Sequence, residues 1–396
     1  MNLTRIENID VKSQRVFVRV DFDLRMENGK IAERSKLEKT LPTIELLSRK
    51  GARIVLGTHF GKQDARKDSK YSTRVLCDEF SELFGKPIQF TESQDFNELK
   101  NLSESLEDGQ ILFLENLNFF EGEWSDDEEL AKKYASLADI FVNDAFAIAH
   151  QTLTSTTTLT KFLPSYPGTL FFREVESLSN LMNKPDKPFV AIIGGSTVSG
   201  KIKIMNSLLS RVNTFLIGGA MAYTFLKSRA VPVGSSVVEK DYEVLAHQFI
   251  DKAGIAGVDF QMPIDHIIAD SFAAKAKNKS VDRMGILDGW IGMDIGPKTI
   301  SAFEKIIKNA GTVFWSGPMG VIEFDRFSNG STQIAKAIAK SNTKSFIGGE
   351  ETVLAVYKAG VEGKITHLST GGGASLEFLE GRVLPGIKAL EGTNEL

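Results

Sequence analysis

Five glycine-rich turns, each following a short apolar run, are the residues of this chain best suited to chemistry. The clearest is Gly371-Gly372-Gly373-Ala374-Ser375, set between Thr366-His367-Leu368-Ser369 and Leu376-Glu377-Phe378-Leu379. Without a Cβ in the way, backbone amides at a helix start can close around an anion, and the helix dipole is positive there. The other four are Gly194-Gly195-Ser196-Thr197-Val198-Ser199-Gly200-Lys201, Gly218-Gly219-Ala220-Met221, Ser316-Gly317-Pro318-Met319-Gly320 and Gly348-Gly349-Glu350-Glu351-Thr352. A single such turn reads equally well as a tight connection; five in one half of a chain point to phosphate cradles. The segment Gly195 to Lys201 fits G-x-x-x-x-G-K, but Ile202 stands where a P-loop needs Ser or Thr to hold Mg²⁺, so a true P-loop is not expected. Lys201 is a phosphate candidate, with a solvated surface lysine as the competing reading. Asp21, after the run 16–20, could orient a substrate hydroxyl or cap a turn. His150, His247, His266 and His367 have no partner at metal-ligand spacing and read as structural.

The elements that must position these residues alternate along the whole chain. Apolar runs at 16–20, 53–56, 111–114 and 140–142 are separated by amphipathic stretches at 42–49, 73–84 and 126–137, with Pro42 and Asp126-Asp127-Glu128 as helix-start signals. A second series follows at 189–193, 214–217, 267–269, 312–315, 345–347 and 365–368. Strand-helix alternation predicts parallel sheets, and in such folds ligands sit beyond the carboxyl ends of the strands. The expected fold is α/β: two doubly wound, Rossmann-like domains joined by a hinge helix. The helical pattern at 171–182, stopped by Asn183-Lys184-Pro185, is that hinge. The expected boundaries are 1–168, 169–185 for the hinge, 186–375, and a final segment 376–396.

Composition narrows the function. The chain has 396 residues, 42% of them apolar and 25% charged, with a formal net charge of −4. That balance carries no basic surface for nucleic acid or an acidic membrane, so small-molecule partners are expected. A single cysteine, Cys77, rules out a disulfide scaffold and reads as a buried small hydrophobe in a cytoplasmic protein. No signal core or membrane-length apolar stretch is visible.

In motif order as well as content, the chain resembles the phosphoglycerate kinase family over essentially its whole length. The residues that carry the resemblance are Arg19-Val20-Asp21-Phe22, His59-Phe60-Gly61, Leu114-Glu115-Asn116-Leu117, Val142-Asn143-Asp144-Ala145-Phe146, Asp294-Ile295-Gly296-Pro297, Gly317-Pro318-Met319-Gly320-Val321, Gly371 to Ser375 and Leu384-Pro385-Gly386. The resemblance implies a glycolytic phosphotransferase, acting as a monomer, whose two domains close over Mg-ATP and 3-phosphoglycerate. It also implies that the last residues return to the first domain. On the nucleotide side it implies that Gly218, Gly219 and Ala220 line the adenine slot, Glu323 takes the ribose hydroxyls, and Lys201 and Thr352 meet phosphates. Thr197, Gly317, Pro318, Gly348, Gly349 and Glu350 belong to that side too, with Glu351 anchoring Mg²⁺. On the acid side it implies that Arg19, Lys36, Lys62 and His59 hold the acid and Asp21 orients it, beside Asp23, Asn118 and Gln151. Lys36, Lys201 and the amides of Gly372 and Gly373 then serve the transferring phosphoryl group, and no general base is needed because a carboxylate is already a nucleophile at neutral pH.

Against the family pattern, Lys36, Lys62, Asn118 and Gln151 stand at arginine positions, Thr197 at a lysine and Asp23 at an asparagine. Leu153 stands at a histidine, Glu351 at the metal-binding aspartate and Glu350 at a glycine. Asn118, Gln151 and Thr197 remove three positive charges and Asp23 adds a negative one, so the site is four units less positive than the family's. Phosphoryl transfer depends on such cations, which opens two further readings: a nucleotide-binding module with a regulatory role, or a kinase for a less anionic carboxylic acid.

Overall fold

The computed structural model describes residues 3–27, 30–31, 33–61, 68–282 and 285–391. The chain divides into two compact units: the first runs to Glu176 and resumes at Val383, and the second is Ser177–Arg382. The division falls inside the helix Thr169–Asn183, and the return begins at Val383 rather than at 376.

Among the described residues, the first unit holds a six-stranded sheet. Its strands are β1 (Arg15–Arg19), β2 (Arg53–Gly57), β3 (Gln89–Thr91), β4 (Ile111–Leu114), β5 (Ile140–Asn143) and β6 (Ser165–Pro167), in the spatial order β3-β4-β2-β1-β5-β6. All five pairings are parallel. Both faces are covered, so β1 buries every second residue on the opposite side. Val16 and Val18 pack with Ile54, Leu56, Leu37, Ile44 and Phe80, while Phe17 packs with Val55, Leu112, Tyr134 and Phe141. Each such side chain contributes about 1.5–3 kcal/mol on burial.

The helix Ser35–Arg49 corrects one expectation: Pro42 lies within it, not at its start. The turns before the proline carry Leu37 and Thr40, which continue the buried stripe of Thr43, Ile44 and Leu47. Packing of that stripe outweighs the one hydrogen bond a proline removes.

The second unit holds the other parallel sheet: β7 (Phe189–Ile193), β8 (Thr214–Ile217), β9 (Asp259–Gln261), β13 (Thr312–Ser316), β14 (Lys344–Gly348) and β15 (His367–Leu368), ordered β9-β8-β7-β13-β14-β15. The expected strand at 267–269 does not join it. It is part of β10 (Asp265–Ala269), which pairs antiparallel with β11 (Asn278–Asp282) and β12 (Ile291–Ile295) in a small separate sheet. Val190, Ile192, Val313, Trp315 and Ile347 pack beneath Ile300, Phe303, Ile334 and Val356. In the first unit, the terminal helix Pro385–Leu390 closes back: Gly386 N donates to Ala149 O at 2.8 Å, where a Cβ would lie 3.0 Å from Ala149 Cα.

Candidate functional site

In the first unit the candidate residues converge just beyond the carboxyl ends of β1, β2 and β4. Asp21 follows β1, and its buried carboxylate takes a hydrogen bond from Lys36 Nζ at 2.9 Å. The same ammonium donates to Asp23 O at 2.9 Å, and Asp23 Oδ1 accepts from Gly61 N at 2.9 Å. His59 Nε2 lies 3.9 Å from Asp21 Oδ1. Arg19, the last residue of β1, is fully buried beneath this group. Its Nε donates to Ser155 Oγ at 2.8 Å, its Nη1 to Val20 O, and its Nη2 meets His59 Nδ1 at 3.2 Å. Asn118 joins the group through Gly61 O at 3.1 Å and is itself held by Trp124 Nε1 at 2.9 Å. Gln151 has His150 as a side-chain partner at 3.5 Å. Leu153 is buried in an apolar cluster with Ala145, Ile148 and Trp124. Lys62 lies outside the described residues.

The charges here are largely spent on one another. Burial pushes the Asp21 carboxyl up, yet Lys36 foremost and then His59 outweigh it, and its pKa lies below the usual value. Burial and the Arg19 charge push the His59 imidazole down to about 4, so at neutral pH it is uncharged. Behind Arg19, Glu123 is fully buried and accepts from Ser155 Oγ. Burial lifts its pKa to about 7 against the pull of Arg19.

The second unit gathers its candidates at the carboxyl ends of β7, β8, β13 and β14. Lys201 caps the helix Ile202–Leu208 and donates to Ser316 Oγ at 2.8 Å. Burial lowers its pKa and Glu351 acts against that. Glu351 opens the helix Glu350–Ala359; its carboxyl is pushed up by burial, then by Glu323 and Glu350, with Lys201 opposing. Thr352 is fully buried and its hydroxyl accepts from Gly317 N at 2.7 Å. Thr197 is exposed on its turn.

The glycine turns fall into two kinds. Gly194, Gly219, Gly317 and Pro318 pack backbone against backbone, and Gly218 lies against the Met319 side chain, whose Sδ a Cβ would meet at 2.4 Å; Gly195 N donates to Pro318 O and Gly219 N to Met319 O, both at 2.9 Å. A Cβ on Gly317 would lie 2.1 Å from Gly194 O, and one on Gly219 would lie 2.4 Å from Gly195 O. Gly348, Gly349 and Gly372 are different. Gly372 (φ +48°) has nothing within 4 Å of a Cβ, and Gly349 (φ +95°) meets only Thr352 Oγ1 at 3.3 Å and Ser316 Oγ at 3.9 Å. Gly372 and Gly373 open the helix Gly372–Leu379, so their amides lie in its first turn, where backbone donors have no partner in the helix. At the G-x-x-x-x-G-K turn, Glu239 takes the amides of Val198 and Ser199 and the Ser199 hydroxyl, the last at 2.6 Å. An internal carboxylate occupies the position a P-loop would give to phosphate.

Among the described residues no group of three or more His, Cys, Asp or Glu side chains is placed to hold a bare metal ion. Mg²⁺ that travels with a nucleotide needs only one or two carboxylates besides phosphate oxygens. Glu351, its pKa raised in part by two neighbouring acids, is a donor of that kind. Ser316, Glu239, Glu123, Ser155 and Trp124 were not singled out by sequence reasoning. Ser316 stands within a flagged turn, whereas nothing in the sequence marks the other four.

Two α/β units, one with a cluster of buried and paired charges at its strand ends and one with open glycine amides beside a lysine and a carboxylate, define a protein of the phosphotransferase class. The family model described as phosphoglycerate kinase matches residues 6–382. The phosphoglycerate kinase of Leptospira biflexa is 54% identical over 390 residues, 98% of each chain, and that of Borrelia garinii is 43% identical over 378 residues, 96% of each. Among solved structures, the phosphoglycerate kinase of Coxiella burnetii superposes with a TM-score of 0.88 at 35% identity, covering 98% of this chain and 99% of that one. That of Pyrococcus horikoshii gives 0.86 at 29% identity, covering 99% and 100%. The chain belongs to the phosphoglycerate kinase family.

Proposed function

We propose that the chain catalyses reversible phosphoryl transfer between ATP and the carboxylate of 3-phosphoglycerate. The observation that carries this reading is the full-length match to relatives that bear the enzyme's name, which favours transfer over a binding module. In this reading Asp21, Lys36, His59 and Asn118 receive the acid, with Asp23 and Arg19 holding them from beneath. Lys201 and the amides of Gly372 and Gly373 meet the transferring phosphoryl group, and Glu323, Gly218, Gly219 and Ala220 receive the nucleoside. Glu351 would hold Mg²⁺ carried by the nucleotide, which neutralises charge on the phosphate oxygens when bound. Lys201 suits its role because its hydrogen-bond partner Ser316 is neutral, so its charge is still available to a phosphate. One chain supplies every group, so a monomer suffices, and we place the reaction in the cytoplasm. No described helix is long and apolar enough to cross a membrane.

The test is a coupled assay of 3-phosphoglycerate-dependent conversion of ATP to ADP with Mg²⁺. Turnover of about 1–100 per second is expected, the usual range for kinases. No turnover by demonstrably folded protein would overturn the proposal.

A further inference from the structure

His59 is a buried ring held on two sides. Trp124 meets it edge-on, with ring centroids 6.5 Å apart, and Arg19 Nη2 lies 3.2 Å from its Nδ1. A guanidinium has donors only, so Nδ1 must accept. A ring whose Nδ1 accepts cannot be the imidazolium, in which both nitrogens donate; it is neutral and carries its one proton on Nε2.

The same logic runs backward through the fold. Arg19 Nε donates to Ser155 Oγ at 2.8 Å, which uses that oxygen as an acceptor. The single hydroxyl proton of Ser155 then goes to Glu123 Oε1. The guanidinium, which has donors only, fixes the direction of the two bonds it makes to Ser155 Oγ and His59 Nδ1, and Ser155 gives its own hydroxyl proton to Glu123 Oε1. We propose that Glu123, Ser155 and Arg19 are positioning residues that fix His59 as a neutral imidazole with its proton on Nε2, on the side of Asp21 and the bound acid.

The consequence for the site is specific. Nε2 stands 3.9 Å from Asp21 Oδ1, beyond hydrogen-bond distance, so its N–H can be given to an incoming oxygen. His59 supplies a directed donor and no charge. The groups that act on the ring are Arg19 and Lys36, which oppose its protonation, and Asp21 and Asp23, which favour it; Glu123 and Tyr134 lie behind Arg19. Burial is the largest influence, and the ring titrates at about 4. The side on which the acid sits rests on the proposed function; the tautomer does not.

The test uses the full chain with ¹⁵N-labelled histidine, the His59 signals being identified by their loss in His59→Gln. At pH 7 the proton is expected on Nε2 and the ring is expected to stay neutral down to pH 5, about one unit above the value burial imposes. A proton on Nδ1, or a doubly protonated ring at pH 7, overturns the proposal. In folded Arg19→Gln the Nδ1 tautomer should appear and the titration should move up toward the ordinary value; an unchanged tautomer and titration overturn it. Should that variant fail to fold, Ser155→Ala decides: a mixed tautomer is expected, with KM for 3-phosphoglycerate rising about five- to tenfold and kcat moving less. An unmixed tautomer and unchanged KM overturn it. Adding 3-phosphoglycerate to the parent protein should shift the Nε2 signal. The stated tautomer with no response to the acid would uphold the positioning chain and overturn the proposed function instead.

Discussion

The candidate sites of the two units treat their lysines in opposite ways. In the first unit Lys36 Nζ is hydrogen-bonded to the Asp21 carboxylate at 2.9 Å and to Asp23 O at 2.9 Å, so its charge is neutralised from within. In the second, Lys201 Nζ rests on a neutral hydroxyl, Ser316, at 2.8 Å, and burial already disfavours its charge. An ammonium hydrogen-bonded to a carboxylate serves structure first; one hydrogen-bonded to a neutral hydroxyl, with Glu351 acting on it through space, is stabilised further when an anion arrives. The buried acids differ in the same sense. Lysine keeps Asp21 ionised, whereas Asp294, which accepts from the amides of Gly330 and Ile295, is pushed by burial to about 8.

The largest effect should come from Lys201→Met. It removes a donor directed at the transferring group, so turnover should fall by about 10²–10³, while thermal unfolding should barely change because its hydrogen-bond partner is an uncharged hydroxyl. A loss under tenfold would break the contrast on the nucleotide side. Lys36→Met should lower stability as well as turnover. It leaves Asp21 buried without its cation, and denaturant unfolding should show a loss of about 1–3 kcal/mol. Pairing it with Asp21→Asn should recover most of that loss, and a single variant as stable as the parent would remove the argument for internal neutralisation.

Opposite pH responses are also expected from the two acids. The folded pKa of Asp21 is depressed, so its contribution is present above the unfolded value near 4 and lost as pH falls through the folded one. Asp294 is raised to about 8, so its contribution is full below pH ~4 and lost as pH rises through 8, at about 1.4 kcal/mol per pH unit within that window. Melting curves of Asp294→Asn against the parent should therefore lie closest near pH 4 and diverge as pH rises toward 8, the parent falling relative to the variant; parallel curves from pH 4 to 9 would show that the carboxyl does not titrate there. Cys77→Ala is the smallest change and the control. The thiol is buried in the first core, where burial pushes it up to about 12. About 1 kcal/mol of stability should go, with turnover unaltered.

Much of this was legible before any coordinates. The central strands at 189–193, 214–217 and 111–114 stand where the apolar runs put them, because a strand covered on both faces is apolar along its length. Pairing partners were less legible: a run such as 267–269 states that it is buried but not which sheet it joins, and it proved antiparallel. Pro42 misled because a local start signal was read without the buried stripe that begins before it. In the site, glycine turns announced the nucleotide side, but the pattern could not separate glycines needed for backbone packing, such as Gly219 and Gly317, from those left open, such as Gly372. Glu123 and Glu239 were invisible for a plainer reason. Each acts through partners 32 to 41 residues away, and a lone acid in a turn looks like a solvated one.

The return of the chain at Val383 has a consequence for biosynthesis. Gly386 fits against Ala149 so closely that a side chain there would crowd the neighbouring backbone, and the helix that carries it is synthesised only after the whole of the second unit. The second unit can be complete while the first still lacks its closing helix. A nascent chain therefore exposes the Ala149 seat until the whole of the second unit has been made, and the half that begins first is closed after the other.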